Sequence, residues 1–330
     1  MCWHLLKKVR MADNLKVFFL GSGSIAIPSL AALNENQHIE LVGVGTQPDK
    51  KAGRGNRMTP TPVGQFADSV GLNPWKIENI NNPETVSSLR DLKPDFILVI
   101  AFGQLLKEDI LNLPAIECVN VHASILPAYR GASPITTSIL NGDAETGISI
   151  MKMEKGLDTG PVYEIFKVTI SGDDNSDTLQ SRLADTAAAE IASSLRKIAE
   201  GLQPLPQDHN IATHCRKISK SDAHLDWNES ATTLRNKIHA YFPWPGAYFF
   251  IETGKGPKRL TVVSADNCEE KTEAAPGTVI DGGKNRWLIA CGGKSVLEIL
   301  KVKPEGKKLM SSADFLRGSR IAVGMNLNKN

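Results

Sequence analysis

Apolar positions recur along the chain with two different periods. Four short runs are apolar almost throughout: "LKVFFL" (15–20), "IELVGVGT" (39–46), "DFILVIA" (95–101) and "IECVNV" (116–121). Between them lie stretches whose apolar residues return every three or four positions, as in "IPSLAAL". A strand covered on both faces reads as a continuous apolar run, and a helix packed on one side repeats with the helical period. Their alternation predicts a doubly wound, Rossmann-like α/β domain built on a mostly parallel sheet. Two more strand-like runs follow, "GISIMKM" (147–153) and "VYEIFKVTI" (162–170), and then a long helix around 176–201 that closes the domain.

The pattern breaks at "GLQPLPQDHN", where paired prolines, glycine and polar residues interrupt every period and predict a linker. Beyond it come short β-like runs, "AYFFIE", "RLTVVSA", "GTVI", "WLIACG" and "SVLEILKV", separated by Gly, Lys and Asp. These predict a small antiparallel barrel. The expected organisation is a catalytic-type domain at 15–202, a linker at 203–212 and a second domain at 213–330. Residues 1–14 are expected to be an extension; "MCWHLLKKVR" lacks the charge order and cleavage site of a signal peptide, and Met11 is an alternative start.

Composition narrows the class. Of 330 residues 41% are hydrophobic and 22% charged, with no apolar run near the roughly 20 residues of a membrane helix, so a soluble protein is expected. The five cysteines, Cys2, Cys118, Cys215, Cys268 and Cys291, are scattered and lack C-x-x-C spacing. That argues against a disulfide framework and a structural zinc site, and favours the cytoplasm. Charge is uneven: residues 211–330 carry 19 Lys and Arg against 12 Asp and Glu, whereas the preceding 210 residues carry 19 against 24. A basic C-terminal part suits a polyanionic partner, and solvated surface lysines account for it equally well.

Two stretches invite a chemical reading. Gly21-Ser22-Gly23-Ser24-Ile25-Ala26 fits G-x-G-x-x-A between a strand and a helix, the pattern of a dinucleotide site. The acidic residue expected at the end of the second strand is missing, because "GTQPDK" places Asp49 beyond a proline, so a tight strand-to-helix turn is the better reading. The second stretch, "CVNVHASILPAYRGASPI" (118–135), ends a buried strand with Asn120 and His122. Their i, i+2 spacing puts both on one face at the carboxyl end of the strand, where open α/β sheets bind ligands. An amide can donate to a developing oxyanion, and an imidazole can carry a proton near neutral pH. A satisfied structural histidine remains the alternative for His122 alone. Downstream, Asp158 in "MKMEKGLDTGP" lies in a loop between glycines, where a carboxylate can polarise a histidine or simply face solvent.

Together these residues resemble the formyltransferase family that uses 10-formyltetrahydrofolate. The resemblance rests on Asn120-Val121-His122, Ser124-Ile125-Leu126-Pro127, Arg130-Gly131-Ala132-Ser133-Pro134 and Leu157-Asp158-Thr159-Gly160. It implies that Asn120, His122 and Asp158 are catalytic, that Ser124, Ile125, Leu126 and Pro127 line the folate site, and that no metal takes part. The family has Leu where Ile125 stands, and commonly Gly-Thr-Pro-x-Phe where this chain has Gly21-Ser22-Gly23-Ser24-Ile25.

Within the family, the chain from residue 15 onward is similar to members whose acceptor is initiator methionyl-tRNA. "TQPDKKAGRGNRMTPTPV" looks like their flexible tRNA-contacting loop, with the cations Lys50, Lys51, Arg54 and Arg57, and "KPEGKKLMSSADFL" contains Lys307 and Lys308. Cations on such a loop can follow a phosphate backbone. The resemblance also implies that the C-terminal barrel is OB-like and binds tRNA. "KISKSDAHLDW", "FPWPGAYF" and "PGTVI" are shared with members acting on amino-sugar nucleotides, which stay open as an alternative. A formyl-folate hydrolase, a nicotinamide-dependent oxidoreductase and a non-catalytic RNA-binding protein account for less of the pattern.

Overall fold

A computed structural model describes residues 14–52, 55–252, 256–282, 286–319 and 321–329. The expected extension at 1–14 lies outside these residues except for Asn14, as does Arg54. The chain divides into two compact units. The first takes in the chain through Gly131, Thr146–Thr169 and Gln180–His214; the second takes in Ala132–Glu145, Ile170–Leu179 and the chain from Cys215 onward.

Strands of the first unit are β1 (Leu15–Gly21), β2 (Ile39–Thr46), β3 (Lys50–Ala52), β4 (Arg57–Thr59), β5 (Trp75–Lys76), β6 (Phe96–Ile100), β7 (Glu117–His122), the two-residue β8 (Arg130–Gly131), β9 (Glu145–Lys152) and β10 (Val162–Thr169). The main sheet has the order β10-β9-β7-β6-β1-β2-β5. Pairings β1–β2, β1–β6, β2–β5 and β6–β7 are parallel, whereas β7–β9 is antiparallel. The sheet is therefore Rossmann-like and mostly parallel, as the apolar runs predict. Its reason is burial on both faces: Val17, Phe18, Phe19 and Leu20 are all fully buried, although consecutive residues point to opposite sides.

Helices α1 (Ile27–Glu35), α2 (Pro62–Ser69), α3 (Pro83–Asp91) and α4 (Glu108–Leu111) connect the parallel strands. Helices α2 and α3 start with proline at the first position behind a polar cap, where Thr61 Oγ1 accepts from the Gly64 N–H and Asn82 Oδ1 from the Glu84 N–H. The long helix α6 (Ser176–Ala199) buries Leu183, Ala187, Ile191, Leu195 and Ile198 along one face, the three-to-four-residue spacing expected from the sequence. At the glycine turn after β1, a Cβ on Gly21 would sit 2.7 Å from the Phe19 ring and 3.1 Å from the Ile100 carbonyl oxygen. The Ser22 and Gly23 N–H groups both point to the Ala101 carbonyl. This turn serves close strand-to-helix packing, and its amides are already engaged.

The loop expected after β2 is in part an antiparallel hairpin. Strand β3 pairs with β4 in the register Lys50↔Thr59, Lys51↔Met58 and Ala52↔Arg57. Gly55 and Asn56 both have positive φ, the conformation a tight hairpin needs and the one these two residue types tolerate best. Paired strands thus stand on both sides of a turn where the sequence predicts only loop.

In the second unit α5 (Pro134–Asn141) packs on α7 (Ala231–Ala240). After the short β11 (His214–Cys215) the unit's strands are β12 (Tyr248–Ile251), β13 (Lys258–Cys268), β14 (Val279–Asp281), β15 (Leu288–Ala290), β16 (Val296–Pro304) and β17 (Met310–Ser311), followed by α8 (Ser312–Arg317). They form one antiparallel sheet, β12-β13-β16-β15-β14, with β17 added beside β16. Its core holds Trp227, Phe249 and Trp287, with Phe249 edge-on to both indoles at 5.1 and 6.2 Å. The stretch 203–212, expected to be a linker, lies within the first unit, and the chain passes to the second between His214 and Cys215. The passages near 131, 145, 169 and 179 leave no mark in composition, because α5 belongs to the second unit by its packing on α7.

Candidate active site

Strand β7 delivers Asn120 and His122 to the carboxyl end of the parallel sheet. Asn120 lies opposite Val99 of β6 and Met151 of β9, and His122 opposite Ser149 of β9. Asp158 comes from the loop between β9 and β10. Its carboxylate meets the strand pair directly: Oδ2 is 3.6 Å from His122 Nδ1, and Asn120 Nδ2 donates to Oδ1 at 3.5 Å. The Gly131 N–H donates to Oδ2 at 2.9 Å. The side chains of His122 and Asp158 are only 7% and 12% exposed, so the pair is screened from bulk water.

The histidine's other nitrogen decides its tautomer. His122 Nε2 lies 2.9 Å from the Tyr129 carbonyl oxygen, which can only accept, so Nε2 carries a proton. Nδ1 then faces a carboxylate, and a single proton between Nδ1 and Oδ2 completes the contact. The site thus sets that contact beside an amide donor held to the same carboxylate at the long distance of 3.5 Å.

The loop carrying Asp158 is locally strained and locally held. Asp158 has φ +55, a left-handed conformation that costs an L-residue about 1–2 kcal/mol and that Asp and Asn tolerate best. At Gly160 a Cβ would fall 2.1 Å from the Lys152 carbonyl oxygen, so the chain can pass there only as glycine. Gln207 fastens the same segment: its Nε2 donates to the carbonyls of Asp158 at 2.9 Å and Gly160 at 2.6 Å. Its Oε1 accepts from Arg130 Nε at 3.0 Å and Nη2 at 2.7 Å. Sequence reading missed Gln207, which lies in the stretch that reads as a linker.

The proposed folate segment divides in two. Ser124 and Leu126 are buried: Ser124 Oγ donates to the Ala128 carbonyl at 2.6 Å, and Leu126 packs with Met151 and Val162. Ile125 and Pro127 remain half-buried, so those two side chains and the backbone are the parts that face outward. Ser149 Oγ ties the segment to β9, donating to the Ser124 carbonyl at 2.7 Å and accepting from the Leu126 N–H at 3.0 Å. Cys118, two residues before Asn120, is no nucleophile candidate, since complete burial pushes its thiol far above the usual range.

The cations expected to meet RNA are all on the surface where described. Lys50, Lys51 and Arg57 are exposed on the β3–β4 hairpin, with Lys50 Nζ donating to Gln47 Oε1 at 2.6 Å. As strand neighbours, Lys50 and Lys51 point to opposite faces rather than forming one loop cluster. Lys307 and Lys308 are exposed between β16 and β17. Among the described residues no group of three or more His, Cys, Asp or Glu is arranged to hold a metal ion.

A family model described as formyl transferase matches residues 14–195, and one described as formyl transferase, C-terminal domain, matches residues 217–320. The chain belongs to the formyl transferase family. A methionyl-tRNA formyltransferase of Caldanaerobacter subterraneus subsp. tengcongensis is 38% identical over 312 residues, which cover 94% of this chain and 99% of that protein. One from Dictyoglomus thermophilum is 40% identical over 292 residues, covering 87% and 92%. In fold the chain is also similar to WlaRD, a sugar 3N-formyl transferase solved in the presence of dTDP and 5-N-formyl-THF, with a TM-score of 0.63, 16% identity and coverage of 89% and 99%. Asn120, His122 and Asp158 all fall within the span matched by the formyl transferase model.

Proposed function

We propose that this formyltransferase moves the formyl group of 10-formyltetrahydrofolate to the α-amino group of initiator methionyl-tRNA, in the cytoplasm, with Asn120, His122 and Asp158 as the catalytic residues. One observation carries the reading: an amide N–H, an imidazole N–H and a carboxylate converge within 3.6 Å at the carboxyl end of β7, in a chain 38–40% identical to methionyl-tRNA formyltransferases. That donor set fits a carbonyl that must accept negative charge while an amine loses a proton.

The folate supplies an activated N-formyl group. Asn120 Nδ2 swings from its long contact with Asp158 and donates to the formyl oxygen as charge gathers there. His122 is held by the Tyr129 carbonyl through Nε2 and shares its Nδ1–H between Asp158 and the developing oxyanion. Removing one such donor typically costs about 3–4 kcal/mol of transition-state stabilisation. Asp158 takes up the proton the attacking amine gives away, directly or through the His122 ring, and that proton passes to N10 of the folate as the C–N10 bond breaks and tetrahydrofolate leaves; a positioned acid or base contributes roughly 10² to 10⁴ in rate. The outward-facing Ile125 and Pro127 offer apolar contact to the folate, with Ser124 and Leu126 holding the segment's shape. Lys50, Lys51, Arg54 and Arg57, and Lys307 and Lys308 in the C-terminal domain, are assigned to phosphates of the tRNA.

The test offers the purified protein 10-formyltetrahydrofolate with initiator methionyl-tRNA, an amino-sugar nucleotide or water as acceptor. Formylmethionyl-tRNA is the expected product. Transfer to the sugar alone, or hydrolysis alone, would overturn the choice of acceptor while leaving the catalytic trio in place.

A further inference from the structure

We infer that Gln207, held by Arg130, is a positioning residue for catalysis: it sets the separation of His122 and Asp158 by pinning the Asp158 loop to the tripeptide Tyr129–Gly131. The inference rests on the catalytic reading above and extends it to residues that touch no reacting atom. Gln207 lies 49 residues beyond Asp158 in a stretch with no catalytic signature.

The side chain of Gln207 is buried, at 8% exposure, and its hydrogen-bonding capacity is full. Both amide protons go to carbonyls, those of Asp158 and Gly160, and both lone pairs of Oε1 face the fork of Arg130, itself 3% exposed. The amide cannot be turned over, because Oε1 would then confront two carbonyl oxygens and Nε2 would confront a guanidinium. A single side chain therefore converts the position of Arg130 into the positions of two carbonyls that bracket Thr159.

Three consecutive residues hold the catalytic pair from different sides. The Tyr129 carbonyl takes His122 Nε2–H, Arg130 grips the Asp158 main chain through Gln207, and the Gly131 N–H takes the Asp158 carboxylate. Tyr129 also has positive φ, +58, and its N–H donates to Thr213 Oγ1 at 2.9 Å. Asp158 sits in a left-handed conformation, a state that persists only where the surroundings over-determine it. Without Gln207 its carbonyl and that of Gly160 lose their buried donors, and the carboxylate keeps only the Gly131 N–H as a close partner. At 3.6 Å the His122–Asp158 contact is already long, so a further displacement of about 1 Å breaks it, and misplacements of that size commonly cost about 10²-fold in rate.

The experiment is a double-mutant cycle on formyl transfer to methionyl-tRNA, run under single-turnover conditions so that slow variants remain measurable. Gln207→Met keeps the volume and removes every hydrogen bond. In the wild-type background it is expected to lower the rate roughly 10- to 100-fold, with the KM values for tRNA and folate unchanged within about threefold. In the Asp158→Ala background the same substitution is expected to cost less than about threefold, because the group it positions is already gone. Equal losses in the two backgrounds, or no loss in either, would overturn the inference. Arg130→Lys, which keeps the charge and loses the fork, repeats the cycle should Gln207→Met unfold; a partial loss that disappears with Asp158→Ala is expected, and an unchanged loss refutes the proposal. Undiminished transfer by Asp158→Ala itself would instead sink the catalytic reading.

Discussion

Replacing Asp158 with Asn is the sharpest perturbation of the site, because the structure separates its chemical effect from its structural one. Asn tolerates φ +55 as well as Asp does, so the loop's strain hardly changes, and Gln207 still holds the carbonyls of residues 158 and 160. What changes is charge and donor direction. The carboxylate offers an acceptor to the Gly131 N–H, to Asn120 Nδ2 and to His122 Nδ1. An amide has one oxygen for these three donors, so its NH₂ must confront at least one of them. Losing a charged acceptor for the Gly131 N–H costs native stability of about 1–2 kcal/mol, which in a chain of this size lowers Tm by only a few degrees. The catalytic loss is larger: with no acceptor for the amine proton and no carboxylate beside His122 Nδ1, kcat for formyl transfer should fall by about 10² to 10⁴. The KM for methionyl-tRNA should stay within about threefold, since Asp158 lies under the reacting group and touches no phosphate in this scheme. Single-turnover formation of formylmethionyl-tRNA measures the rate, and thermal unfolding measures the stability. A variant with less than a fivefold loss in kcat would refute the role assigned to Asp158, and a variant whose loss tracked its Tm would reduce that role to structure.

Three further outcomes test other parts of the reading. Lys50→Ala with Lys51→Ala should weaken tRNA binding and lower the slope of log affinity against log salt by about one to two, with the folate KM unaffected; an unchanged slope removes the hairpin from the tRNA interface. Gly160→Ala drives a Cβ into the Lys152 carbonyl, so it should lower both Tm and kcat by displacing the Asp158 loop, and a variant indistinguishable from wild type would show that the loop is not held as described. In the C-terminal part, Arg216 chelates the Asp222 carboxylate through Nη1 and Nη2, and the Ser219 N–H adds a third donor; together they hold its pKa well below the usual carboxylate range. A depressed carboxylate contributes stability above its ordinary pKa near 4 and loses it as pH falls through the folded value, so Tm should drop less between pH 5 and 3 in Asp222→Asn than in wild type. Equal acid limbs would contradict this.

The parts of the fold and site legible in the sequence are those encoded locally. Four buried parallel strands announce themselves as apolar runs, and Asn120 and His122 stand out because period-two spacing at a strand end puts both on one face. Strand β17 has two residues and exists by pairing with β16, so no pattern announces it. The β3–β4 hairpin was readable in principle from its Gly-Asn turn, but four cations in a row of polar residues look like loop. Gln207 was not readable at all. It is uncharged, follows a proline pair, and acquires its role only when residues 130, 158 and 160 arrive around it. Burial of a polar group is a tertiary fact, and the sequence around Gln207 contains nothing apolar enough to foretell it.

The choice of acceptor is encoded differently from the chemistry. A sugar 3N-formyl transferase shares the fold at a TM-score of 0.63, so the mostly parallel sheet does not by itself separate a sugar amine from an aminoacyl-tRNA amine. The reacting atoms are the same in both cases, an amine attacking a formyl carbon, and a site tuned to that step has no means of sensing what lies far behind the amine. Discrimination has to come from surfaces that meet the rest of the substrate. For a tRNA that means phosphates, and the features proposed above to meet them are the cationic β3–β4 hairpin and a C-terminal stretch carrying 19 basic against 12 acidic residues. Such contacts add binding energy remote from the chemistry, and a uniform gain in binding lowers KM without raising kcat. If the division holds, charge removal on the hairpin changes which acceptor is used at low concentration, while changes at Asn120, His122, Asp158 or Gln207 slow every acceptor alike.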